Sequence, residues 1–191
     1  MEKSKKTIAR TRNNIRKLAV ANFNENSCLF NLYFKDNIEN IGYANNEFKK
    51  FIKRARYKFG DFKYITVLKF KKSGAIKYLM LTDLGLSIKK DIVEIWNSGW
   101  VWIDELKYKN SFNYIIRCMS GDINDERLMG KKAYFTSKNL TRPEIIYEDL
   151  SLIDCLKKYN FDTSNLVYEN KFMSKENGEV LYYKFNLKRN N

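Results

Sequence analysis

The chain has 191 residues, 44% hydrophobic and 15% aromatic, which is enough for one packed domain of ordinary size. It carries 36 Lys and Arg against 22 Asp and Glu, a net charge of +14, and it has no histidine. That absence removes the usual general base, the usual zinc ligand and every Ser–His or Cys–His nucleophile pair.

The three cysteines, Cys28, Cys118 and Cys155, lie far apart with no CxxC spacing. A disulfide scaffold and a four-cysteine zinc site are therefore not expected, and a reducing, cytoplasmic setting is. The opening MEKSKKTIARTRNNIRK has no apolar signal core, and no run approaches the roughly 18 apolar residues of a membrane span, so a soluble protein is expected.

The charge is unevenly spread. Residues 1–80 hold 19 basic and 6 acidic side chains and residues 81–191 hold 17 and 16, so +13 of the excess belongs to the first part and +1 to the second. Such a field favours a polyanion. Nucleic acid, DNA or RNA, is the leading partner because the cations are interleaved with Phe48, Phe51, Tyr57, Phe59 and Tyr64, which can stack on bases. An anionic membrane surface is the weaker option, since no amphipathic segment is free of a core duty. The bland explanation is an AT-rich coding bias that inflates Lys, Asn and Ile.

In chain order, the segment to about Leu18 reads as a basic arm or helix with a thin stripe of Ile8, Ile15 and Leu18. LFNLYF (29–34) alternates as a strand. From Tyr43 to Phe59 the positions Ala44, Phe48, Phe51, Ile52, Ala55 and Phe59 fall at helical spacing, and Gly60 closes the helix. FKYITVLKF (62–70) and GAIKYLMLT (74–82) form two strands around a KKSG turn. Ser87 is the expected cap of a helix through Ile92, Ile95 and Trp96 that ends near Gly99. A short strand WVWIDEL follows, then a helix over 111–122 and a strand KAYFTS. The tail predicts a helix near 149–158 and a hairpin around Asn177–Gly178. This order predicts an α+β fold, helices packed on an antiparallel central sheet, in one domain with a basic arm (about 1–18) and a helix-hairpin extension (about 149–188).

Within GAIKYLML, Ala75, Lys77, Leu79 and Leu81 share one face and Ile76, Tyr78 and Met80 the other. Taken alone, a lysine in the middle of one face reads as an edge or half-exposed strand. There is no GxxxxGK[ST] loop, no GxGxxG and no clustered DxD, and the neighbouring pairs Asp104/Glu105 and Asp125/Glu126 read as solvated surface. Nothing in these motifs announces an enzyme.

The ordered segments ANNEFKKFIKRARYKFGDFKYI, FKKSGAIKYLML, EIWNSGWVWI, FNYIIRCMSGD and DERLMGKKAYFTSKNLTRPE resemble the rolling-circle replication initiators (Rep proteins) of the HUH endonuclease superfamily. The resemblance covers roughly residues 10–146, and the tail VYENKFMSKENGEVLYYKF is similar to the closing strands of that group. It implies an RRM- or ferredoxin-like Rep fold. It also implies a divalent-metal site formed by two histidines on the strand matching GAIKYLML and an acidic residue on the preceding strand. Those places here are Lys77, Leu79 and Lys69, so no metal or other cofactor is expected. The family's nucleophile pattern YxxKYxxK corresponds to Tyr114, Arg117, Cys118 and Gly121, in which only the first tyrosine survives. Those four positions fall on one helical face, which should turn towards the sheet.

What remains is a groove that could grip phosphate without cutting, lined by Asn31, Tyr33, Lys69, Lys77, Tyr114 and Arg117. Further contacts are expected from the arm Lys3–Lys17, from Lys49, Lys50, Lys53, Arg54 and Arg56 on the helix, and from the Lys71/Lys72 turn. The expected protein is an inactive Rep-like binder of nucleic acid or of a ribonucleoprotein effector, an inhibitor or regulator in a bacterial host cell, with an anti-CRISPR strategy as one form. An initiator that nicks through Tyr114 and a protein-interaction module on a Rep scaffold are the alternatives. The sequence does not fix the oligomeric state.

Overall fold

The computed structural model describes residues 5–106, 109–121, 123–132, 134–144, 150–160 and 162–185. Lys3 of the expected arm, Asp122 of the expected 111–122 helix, Ala133, Asp149 and the last residues of the tail hairpin lie outside them. The chain divides into two compact units, Met1–Pro143 and Glu144–Asn191.

The first unit is α+β. Its elements are α1 (Lys5–Asn22), β1 (Cys28–Phe34), α2 (Ile41–Phe59), β2 (Tyr64–Phe70), β3 (Ile76–Thr82), α3 (Lys89–Trp96), β4 (Gly99–Glu105), α4 (Lys109–Ser120) and β5 (Tyr134–Thr136). The five strands form one antiparallel sheet in the order β4-β1-β3-β2-β5. β3 is thus the central strand. The edge reading of its lysine does not hold, because a two-residue period reports which face a side chain takes and not which strands lie beside it.

Each face of the sheet carries two helices. On one, Ala44, Phe48, Phe51, Ile52 and Ala55 of α2 and Ile92 and Trp96 of α3 cluster with Phe30, Leu32, Phe34, Tyr64, Leu68, Ile76, Tyr78 and Met80. On the other, Ile15, Ala19 and Phe23 of α1 with its exit and Ile115, Ile116 and Met119 of α4 cluster with Leu29, Ile65, Val67, Leu79 and Leu81. Phe48 stacks on Tyr78 with ring centroids 4.6 Å apart, and the Tyr78 hydroxyl donates to Asn45 Oδ1 at 2.7 Å.

Local chemistry sets the helix ends. Asn40 caps α2 by accepting from the Tyr43 amide, and Gly60 stops it at φ 75°, a conformation that costs a residue with a Cβ far more than glycine. α3 is preceded by a 3-10 turn, Leu86–Ile88, and Ser87 makes no cap hydrogen bond, because the turn moves the helix start past it. The basic N-terminal segment is a docked helix whose Ile15 and Ala19 are fully buried, and Arg12 donates to the Gly121 carbonyl beyond α4.

The second unit holds α5 (Leu152–Lys158), capped by Ser151, and the antiparallel pair β6 (Leu166–Ser174) and β7 (Gly178–Phe185). Gly178, the first residue of β7, takes φ 68° where the chain leaves the turn.

Candidate functional site

The second face of the sheet is covered by α1 and α4 only over part of its area. Beyond them the ladder registers give a row that runs Trp100, Tyr33, Lys77, Lys69 across β4, β1, β3 and β2. The next row is Trp102, Asn31, Leu79, Val67. Lys69 and Lys77 are half-buried, and the first sits directly opposite the second. Lys77 Nζ is 3.5 Å from the Tyr33 hydroxyl and 5.2 Å from its ring centroid. Lys71, from the turn after β2, brings Nζ to 5.1 Å from the same ring. Two ammonium groups thus converge on one tyrosine ring, where cations over a ring face gain about 0.5–1 kcal/mol each at exposed sites. Lys72 is exposed in the turn.

The helix α4 borders this area. Tyr114, 65% exposed, feels the charge of Asp104 on β4, and near the other end Lys69 Nζ lies 3.8 Å from the point a Cβ on Gly121 would occupy. Tyr114 and Arg117 are exposed, while Ile115, Ile116 and Met119 are buried. The face bearing 114, 117, 118 and 121 therefore does not pack on the sheet as expected, because the isoleucines and the methionine, more apolar, take that side.

The groups around Tyr114 act on its phenol. Its hydrogen bond with Cys118, one turn on, pushes the phenol pKa above its ordinary value, and the carboxylate of Asp104 pushes in the same direction. Activation of a phenol needs the opposite shift.

Lys69, Lys77 and Leu79, the positions at which the resemblance implies metal ligands, are together on this face, and a divalent cation does not fit them. Lys69 and Lys77 present ammonium groups with no lone pair, and Leu79 is 5% exposed with an isobutyl group. Among the described residues no group of three or more Cys, Asp or Glu side chains could hold a metal ion.

Asp104 and Asp125 are not idle surface charges. Asp104 accepts from Asn31 Nδ2 at 3.0 Å and from Trp102 Nε1 at 2.7 Å. Asp125 caps a short turn through the Arg127 amide and pairs with its guanidinium at 2.8 and 2.6 Å. That pairing holds the Asp125 carboxyl below its usual range and Arg127 above its own. A pair of adjacent acids gave no sign of these partners, which come from residues 73 positions away in one case and two in the other.

The cations expected to act together are split between two faces. α2 covers the face opposite to Lys77, and its outer side bears Lys49, Lys50 and Lys53, with Arg54 reaching the end of α3. Arg54 is engaged by the Ile95 and Trp96 carbonyls at 2.9 and 3.3 Å, Lys50 by Glu47 at 2.7 Å, and Arg56 lies 4.0 Å from Asp61. Lys50, Lys53, Arg54, Tyr57, Lys58 and Ile95 line a depression of about 560 Å³. Of the aromatics expected to stack on bases, Phe48, Phe51 and Tyr64 are buried in the core and Phe59 is half-buried, leaving Tyr57 at 95% exposure. On a helix, lysines and phenylalanines that are interleaved in sequence lie on opposite sides.

The most exposed indoles of the sheet, Trp100 at 60% and Trp102 at 65%, were not among the residues expected to bind. Their signal was present in WVWIDE, where tryptophans occupy the outward phase of an alternating strand.

No helix among the described residues is long and apolar enough to cross a membrane. Comparison with protein-family models, curated proteins and solved structures finds no match to this chain.

Proposed function

We propose that this protein is a catalytically disabled Rep-like domain that binds nucleic acid, or a nucleoprotein, through the partly open face of its sheet and does not cut it. The observation that carries the reading is the cross-strand pair Lys69–Lys77, with Lys77 and Lys71 gathered at the Tyr33 ring. Like charges placed opposite one another on a ladder oppose folding, and a ligand of opposite charge relieves that cost. Phosphates supply that charge at a regular spacing. Raised phenol pKa at Tyr114 and the absence of lone pairs at the metal-matching positions argue against the nicking alternative. Binding without cleavage suits an inhibitor or regulator, including an antagonist of a nucleic-acid-guided defence.

One experiment tests the reading. The full chain is mixed with a labelled pool of single-stranded DNA and RNA, with and without Mn²⁺, and run on native and denaturing gels. Retarded complexes on the native gel with no covalent adduct on the denaturing gel are expected. An adduct lost in Tyr114→Phe would make the protein an enzyme, and no complex at low salt would remove nucleic acid as the partner.

A further inference from the structure

We propose that Trp100 and Trp102 form a base-stacking platform for single-stranded nucleic acid at the β4 edge of the sheet, an inference that rests on the nucleic-acid reading above and gives it a substrate class and a second set of binding groups. Both indoles project from β4, which among the described residues is an edge strand paired with β1, and both are more than half exposed. Apolar surface of that size normally goes inside, and here it is held out in a fixed pose. Trp102 Nε1 is bound by Asp104, whose other oxygen takes the amide of Asn31, and Asn31 is buried and stands opposite Trp102 in the ladder. The single polar atom of the ring is thereby satisfied within the protein, and the π-face is left free.

Register and charge point to the occupant. Trp100 stands opposite Tyr33, which stands opposite Lys77, so aromatics lie at the edge and cations further in along one row. Residues two apart on a strand are about 6.8 Å apart, twice the roughly 3.4 Å rise of stacked bases. A base thus has room beside each ring while its phosphate reaches towards Lys77 and Lys71. Paired bases are stacked within a duplex and do not offer these faces, so the platform selects unpaired strands, and it tolerates any sequence because every base has a π-face.

The test uses the whole chain and its own fluorescence, since the remaining tryptophan, Trp96, is fully buried. The probes are a thymidine homopolymer of about 20 nucleotides, longer than the ~4–16 that one binding module covers, a duplex of equal length, and inorganic polyphosphate. The homopolymer is expected to quench the emission and polyphosphate to bind without quenching. Trp100→Ala and Trp102→Ala should each weaken homopolymer binding roughly 5- to 150-fold, with the salt dependence unchanged, and the corresponding Phe variants should recover part of the loss. The inference is overturned if the double Ala variant, folded by circular dichroism, binds the homopolymer like the parent, or if duplex and single strand bind equally. In either of those cases a loss on neutralising Lys69 and Lys77 leaves the nucleic-acid reading standing. If neither the homopolymer nor polyphosphate binds, both fall.

Discussion

Lys69 and Lys77 are direct cross-strand neighbours, and their side chains rise from the same face of β2 and β3. Opposed like charges cost about 0.2–1 kcal/mol on a ladder. Lys77→Met keeps the apolar stem and removes one charge. It should raise the melting temperature by up to roughly 2–4 °C and at the same time weaken binding of polyanions. A lower melting temperature with unchanged affinity would show that the pair has no binding role.

The two basic faces should separate in a salt titration. Replacing Lys69, Lys71 and Lys77 together is expected to reduce the slope of log affinity against log salt by about 2, at ~0.7 for each single-strand phosphate that is no longer neutralised. Replacing Lys53, Arg54 and Arg56 should leave it nearly unchanged, because Arg54 is held by the end of α3 and Arg56 is close to Asp61 on the opposite side of the sheet. Equal flattening by both sets would mean that the ligand wraps around the domain.

Tyr114 titrates above the ordinary range of a phenol, first because of Cys118 and then because of Asp104. Cys118→Ala should bring the titration down, and Asp104→Asn should lower it further, as followed by the ring-carbon resonance of labelled tyrosine. The shift is upwards, so Tyr114 should resist ionisation more than an ordinary phenol does. An unshifted Tyr114 resonance in both variants would refute the assignment of cause.

Asp125 offers a pH-linked check on the fold. Its carboxyl is lowered in the folded state, so it stabilises the protein at pH values above the ordinary carboxylate range, and that contribution disappears as the pH falls through the lowered value. Asp125→Asn retains an acceptor for the Arg127 amide and loses the charge. It should cost about 0.5–1 kcal/mol at neutral pH, as befits a partly exposed pair, and less at an acid pH below the carboxyl's lowered value. Denaturant unfolding at the two pH values measures the difference. Arg127 stays over the Phe70 ring, 3.7 Å from its centroid, in either case.

Much of the fold was legible because it rests on local periodicity. The apolar spacing from Ala44 to Ala55 and the stop at Gly60 place α2 within two residues of its limits, Ile41 and Phe59. The alternation in LFNLYF gives β1 and its two faces. Strand order was hidden, because the neighbours of β3 are chosen by long-range packing that no window contains, and so Lys77 looked peripheral. The lysines of the site were legible one by one, but their separation from the α2 cations was not, since only the sheet decides which side each helix takes. Trp100 and Trp102 escaped notice because tryptophan is usually counted towards the core.

The central position of β3 has a dynamic consequence. Its backbone is bonded on both sides, to β1 and to β2, so its amides, including that of Lys77, should be among the last to exchange with solvent. Lys77 then stands on the most rigid part of the domain, and a ligand meets there a charge that needs no ordering of the backbone beneath it. The entropy lost on association falls on the ligand, which favours a flexible chain that can settle onto fixed points over a stiff one that must find them already aligned.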